Sequence, residues 1–298
     1  CMVSCPFGAI SDKSQIFQLS HALRDGDKII AIVAPAYISQ FGDDVTPGKF
    51  KTALQVLGFS DVHEVAFGAD VGAISEAHHY AKEVATCNLP FLLTSCCPSW
   101  SMMAKKFFPT MIDNISQELT PMVATARKVK QEQPDAKVVF IGPCASKKLE
   151  AMRRTVRSDV DFVLTFEELD AMFDAREIDP ASFEEDGSLH DATAAGRGYA
   201  VAGGVAGAIE ACLKEYYPDV PVHIEHAESL VECKKVLALA KAGKLNGCMI
   251  EGMACPGGCM GGAGTNVPVA KSSKELKKFL ASCSKKLPPK GLVDIELN

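Results

Sequence analysis

The chain has 298 residues, 47% of them hydrophobic and 23% charged, with a formal net charge of −6. Such a composition buries a core and excludes a disordered chain, and the mixture of acids and bases along it excludes a basic nucleic-acid surface. No apolar run reaches the roughly 18 residues of a membrane span and no secretory leader is legible, so a cytoplasmic protein with neither nucleic acid nor membrane as partner is expected.

Short β-branched apolar runs alternate with helical patterns. Residues 28–35 (KIIAIVAP) form a continuous apolar run, suited to a strand buried on both faces. A helix is predicted near 48–57, with Thr46 as its N-cap, Pro47 in its first turn and Gly58 as its stop. Phe50, Ala53, Leu54 and Leu57 fall on one face of it. A strand at 62–69, a helix near 71–86, a strand at 90–95 (PFLLTS) and helices near 99–108 and 121–131 come next. After Pro134 the pattern restarts, with strands at 137–143, 161–166, 221–226 and 247–253 and helices between them. Residues 174–198 are polar and acidic and read as a loop; the tail PPKGLVDIELN reads as an extended end. The fold class is therefore α/β: two lobes, each built on a mostly parallel β-sheet flanked by helices. The expected lobes are about 13–133 and about 134–275, with a tail at 276–298 and the active site in the cleft between the lobes.

Twelve cysteines in a chain without an export signal point to metal or catalytic roles more than to disulfides. Cys87, Cys212, Cys233, Cys248 and Cys283 stand alone and are expected to be structural. The opening CMVSCPFGAI places Cys1 and Cys5 as C-x3-C-P, the tail of a bacterial ferredoxin run, so residues 1–12 read as the remnant of an electron-relay domain. Three further groups sit just past predicted strands. Cys96 and Cys97 follow PFLLTS, Cys144 follows KVVFIGP, and Cys255 and Cys259 follow GCMIEGM. That is the edge of an open parallel sheet at which ligands bind. Thiolates are soft ligands for zinc, copper(I) or iron–sulfur clusters. Only one short cysteine hook is present, and it is heavily padded with glycine, which favours a bulky cluster over a compact zinc ion.

The segments TSCCPSW (94–100), GPCASKKLE (142–150) and EGMACPGGCMGGAG (251–264) resemble, in order and spacing, the three signature motifs of the iron-only hydrogenase catalytic domain. The resemblance covers about residues 28 to 265. It implies reversible reduction of protons to H2 at a six-iron H-cluster. Cys97, Cys144, Cys255 and Cys259 would hold a four-iron, four-sulfur cluster, and Cys259 would bridge to a diiron subsite carrying CO, cyanide and an azadithiolate. Lys147 would direct its ammonium to one cyanide, Pro35 and Ala36 would lie against the other, and Met253 would pack over the diiron site. Lys148, beside Lys147, is expected to be solvated. Cys96 would carry protons, with the path continuing through Glu76, twenty residues before it, and Ser116, twenty residues after it. His79 stands where an outer acid is usual. A ferredoxin or similar one-electron carrier and maturation proteins are the implied partners.

The chain departs from the common pattern at Gly142, where methionine is usual, at Met122, where glutamine is usual, and at the end of the third motif, GGAGTN. It therefore resembles a divergent branch. A non-catalytic hydrogen-sensing domain, a hydrogenase-like iron–sulfur assembly protein and a structural zinc module are the rival readings.

Overall fold

The computed structural model describes residues 7, 9, 11–185, 189 and 192–297. Cys1 and Cys5 lie outside the described residues. The strands, in chain order, are β1 (Ile29–Val33), β2 (Asp61–Glu64), β3 (Leu92–Leu93), β4 (Lys137–Ile141), β5 (Phe162–Leu164), β6 (His223–Glu228) and β7 (Cys248–Met253). They form a sheet of order β2-β1-β4-β5 and a sheet of order β3-β7-β6, and every pairing is parallel. Helices fill the connections, as parallel pairing requires.

The chain folds as two compact units. One gathers the described residues within 1–65, 125–191 and 260–276; the other gathers those within 66–124, 192–259 and 277–298. The division expected near 132–136 is thus corrected: the units are not consecutive halves. β4 pairs with β1 from Ile29↔Lys137 to Val33↔Ile141, so a strand that opens the expected second lobe belongs beside the first strand of the chain. A parallel strand returns only after a long crossover, and this one is long enough to hold elements of the other unit.

In the first unit all five residues of β1 are buried, as a central strand covered on both faces demands. The helix Pro47–Leu57 starts and stops as the sequence predicts. The Thr46 hydroxyl accepts from the Lys49 amide at 3.3 Å, and Gly58 ends the helix at φ 120°. Its Phe50 ring stacks on Tyr37 and Phe41, and Phe41 meets Phe166 and Phe173 edge-on. The N-terminal helix Ile16–Arg24 has no counterpart in the sequence reading. It is anchored by Gln15, whose side-chain oxygen accepts from the Val163 amide at 2.7 Å.

In the second unit the helix Ala66–His79 takes over residues expected to extend a strand to 69, and it ends in a π-turn, Tyr80–Val84. Ten of its residues are buried, most of them Ala or Gly, which lets neighbouring backbone come close. A Cβ on Gly196 would lie 2.3 Å from the Ala66 carbonyl. The loop expected at 174–198 contains the helix Ala194–Gly198. Asp70 holds its start by accepting from the Thr193 amide and hydroxyl and the Gly196 amide. The tail is not fully extended, since Lys290–Asp294 forms a 3-10 turn. Cys212, Cys233, Cys248 and Cys283 are buried, whereas Cys87 is exposed with a positive φ of 61°.

Candidate metal centre and proton route

In the first unit the carboxyl ends of β1 and β4 present two adjacent turns. The Ala34 amide donates to the Ile141 carbonyl at 2.8 Å, which sets the 3-10 turn Pro35–Tyr37 beside the Gly142–Pro143–Cys144 loop. Ala36 is fully buried. Cys144 leads into the helix Ser146–Ala151, and the Lys147 amide donates to the Cys144 carbonyl at 3.2 Å. Lys147 is buried, and its ammonium bonds the buried Glu150 carboxylate at 2.6 Å. Glu150 received no role from the sequence, although it closes the second motif; it is the counter-charge that makes a buried lysine tolerable. Lys148 is corrected from a solvated residue to a buried one, paired with Asp12 at 2.5 Å and Glu168 at 2.8 Å.

Two departures from the motif pattern have local causes. A Cβ on Gly142 would lie 2.6 Å from the Phe140 ring and 2.9 Å from the Ala34 Cβ, so Phe140 fills the space a larger residue would need. Asn266, which ends the altered third motif, donates twice to Gln40. Its amide donates to Gln40 Oε1 at 2.8 Å and its side chain to the Gln40 carbonyl at 3.2 Å.

In the second unit β3 and β7 run side by side, Leu92↔Met249 and Leu93↔Ile250, and the Thr94 amide donates to the Ile250 carbonyl at 3.0 Å. The Cys96–Cys97 and Cys255–Cys259 segments therefore leave neighbouring strand ends. Cys97 is the N-cap of the helix Pro98–Phe107. Trp100, fully buried, donates to the Thr94 carbonyl at 2.9 Å and packs so tightly on Gly252 that a Cβ there would lie 2.1 Å from the indole. This explains the tryptophan of the first motif and the glycine of the third together.

Two unassigned carboxylates shape the third motif. Glu251 accepts from the Gly203 and Ala206 amides at 2.8 and 2.7 Å, at the start of the helix Gly204–Tyr216. Glu228 accepts from the Gly257 amide at 2.6 Å. Gly258 has φ +72°, and a Cβ on it would lie 2.5 Å from the Ala202 amide nitrogen. Only glycine allows this close backbone approach just before Cys259. Met253 is buried in the same core, and Met122 is fully buried.

Glu76 and Ser116 are both buried, where an isolated reading of either would place it at the surface. The Ser116 hydroxyl donates to Glu76. Burial pushes the Glu76 carboxyl up to about 8 against the pull of that bond, and the charges of Glu118 and Glu251 push the same way. Cys96 has Glu76, Cys97, Glu251 and Cys259 as its charged neighbours, and burial first, then these charges, hold its thiol well above its usual value. Cys96 is thus a neutral thiol that has a proton-holding acid, Glu76, and the candidate ligands Cys97 and Cys259 among its neighbours. His78 is exposed, its ring 2.9 Å from the Tyr217 hydroxyl. His79 is half-buried and lines a cavity of about 470 Å³ together with Gly72, Ser75, Lys82 and Glu118.

No disulfide joins the described cysteines. Among the described residues no three His, Cys, Asp or Glu side chains are grouped to hold one ion. A single zinc needs its donors within ~2.0–2.3 Å of one point, whereas a four-iron cluster takes each thiolate at a separate corner. Soft thiols at strand ends, a glycine-lined backbone approach and a buried lysine fit such a cluster.

Residues 27–263 match the family described as "Iron only hydrogenase large subunit, C-terminal domain". The chain belongs to that family, is a hydrogenase-like H-cluster domain and binds iron–sulfur. Iron hydrogenase 1 of Clostridium pasteurianum is 30% identical over 87% of this chain and 54% of its own length, so the chain spans about half of that relative. The cytosolic Fe-S cluster assembly factor NAR1 of Kluyveromyces lactis is 33% identical over 39% of this chain and 25% of that protein. A variant of FeFe-hydrogenase HydA1 from Chlamydomonas reinhardtii shares the fold, with a TM-score of 0.73 at 22% identity, covering 92% of this chain and 91% of that one. No helix among the described residues is long and apolar enough to cross a membrane.

Proposed function

We propose that this chain is the catalytic domain of an iron-only hydrogenase, interconverting two protons and two electrons with H2. The observation that carries the reading is the buried Ser116–Glu76 pair with Cys96 alongside, next to two candidate cluster ligands. A protein that only stores or passes on clusters has no use for a buried acid that gives up its proton near neutral pH.

In this reading Cys97, Cys144, Cys255 and Cys259 hold the four-iron, four-sulfur cluster, and Cys259 also holds the diiron subsite. That subsite, when bound, would supply the chemistry by which protons and electrons combine. The remaining work belongs to the side chains. Glu76 loads a proton from the His79-lined cavity, with Glu118 on the way, and passes it to Cys96. Cys96, neutral at rest, holds its proton on Sγ beside the candidate ligands and is refilled from Glu76. Ser116 keeps Glu76 oriented and tempers its affinity for the proton. Lys147, its charge balanced by Glu150, would offer its ammonium to a cyanide of that subsite, while Pro35, Ala36 and Met253 would supply apolar walls that exclude water. Electrons come from a ferredoxin or similar one-electron carrier, and dedicated maturation proteins insert the diiron unit in the cytoplasm.

The likeness to a cluster assembly factor over part of the chain favours, as the second reading, an iron–sulfur assembly or scaffold role. Infrared bands of metal-bound CO and cyanide in the matured protein, with H2 evolution from a reduced dye, support the hydrogenase reading. Absence of both in protein that carries a complete four-iron cluster overturns it. Bands without turnover point instead to the hydrogen-sensing alternative.

A further inference from the structure

Tyr199 is a tyrosine where phenylalanine would pack as well. It is 6% exposed, inside the core that also holds Ala73, Tyr80, Met249 and Met253, with Cys96 and Cys97 packed against that core. Its hydroxyl is buried and has no hydrogen-bond partner among the described residues. A buried, unpartnered hydroxyl costs about 1–3 kcal/mol. Phenylalanine would avoid that cost, so the oxygen calls for a function.

Its position supplies one. The hydroxyl lies over Gly72, where a Cβ would be 3.7 Å from it. Gly72 and Glu76 are one helical turn apart, on one face of the helix Ala66–His79. Burial first, then its titratable neighbours Glu76 and Cys96, hold the phenol well above its usual value, so it stays a neutral donor. The segment that carries Tyr199 is fixed at two points. Asp70 anchors the helix Ala194–Gly198, which Tyr199 caps, and the Gly258 backbone packs on Ala200, Val201 and Ala202 just beyond.

We propose that Tyr199 is a positioning residue of the proton route: its hydroxyl donates to the Glu76 carboxyl through one water and keeps that carboxyl turned toward Cys96. The catalytic consequence rests on the hydrogenase reading above; the link between Tyr199 and Glu76 does not.

The test is Tyr199→Phe in the full chain. The carboxyl C=O band of Glu76 is assigned by its loss in Glu76→Gln and read at about pH 6, where Glu76, which titrates at about 8, holds its proton. Loss of a donated bond moves that band to higher frequency in Tyr199→Phe, and thermal stability falls or stays level. An unmoved band, with a melting temperature raised by removal of an idle buried hydroxyl, overturns the proposal. In matured protein the same variant is expected to lose about tenfold in turnover, as for other groups that orient a site from outside it. The infrared measurement needs no loaded cluster. If wild type shows no CO or cyanide bands and no H2 while the Glu76 band still moves, the hydrogenase reading fails and the Tyr199–Glu76 link stands.

Discussion

Glu150 in the first unit and Glu76 in the second are both glutamates with almost no exposure, 2% and 4%. They are held in different ways. Glu150 faces the Lys147 ammonium at 2.6 Å, so the pair is a fixed charge balance. Glu76 is given a serine hydroxyl and, among the described residues, no such cation contact, and burial drives it up to about 8. The difference teaches what burial does to a carboxylate. Matched with a cation it becomes a structural ion pair; matched only with a hydroxyl it keeps its proton to a higher pH.

The sharpest way to break this picture is at the ligands. Cys259→Ala is expected to prevent retention of the diiron unit altogether, read as missing CO and cyanide bands; iron content equal to wild type would remove Cys259 from the site. Cys96→Ser should keep the iron but lower H2 turnover by about 10²–10⁴-fold, the range for a positioned proton-transfer group. Full turnover would take Cys96 out of the path.

Lys147→Ala leaves Glu150 buried without its counter-charge and should cost about 3–5 kcal/mol in chemical denaturation. An unchanged midpoint would mean that the pair is not a closed charge balance. Glu76→Gln sharpens the contrast through pH. The folded chain keeps the Glu76 proton to about pH 8, while the unfolded chain releases it near the ordinary value of 4.5. Its contribution to stability is therefore full below about 4.5 and lost as pH rises through about 8. Glu76→Gln should flatten that loss in melting curves taken across the window, and an identical slope in the variant would contradict the assignment. The smallest effect is expected from Ser116→Ala. Removing a bond that favours the ionised form raises Glu76 further, so the loss of stability still begins near 4.5 but continues to a pH higher by roughly one unit or less, the size of one hydrogen bond of about 1 kcal/mol.

The sequence by itself determined the parts that depend on neighbours a few residues away. The apolar run at 28–35 is a strand because nothing polar interrupts it, and Thr46, Pro47 and Gly58 bound a helix because capping is local chemistry. The three cysteine motifs, with their glycines, likewise declared soft thiols past strand ends and close backbone. Glu76 and Ser116 were found by their spacing from Cys96, which comes from the family likeness and not from any local signal.

What only the tertiary structure decided was who surrounds whom. β4 lies beside β1, so the units interleave along the chain. Lys148 is buried because Asp12 and Glu168 reach it, Glu228 steadies the Gly257 turn from another strand, and Tyr199 lies over Gly72 from over a hundred residues away. Desolvation and charge balance depend on every group packed around an atom, whatever its place in the sequence, and so periodicity and spacing carry no record of them.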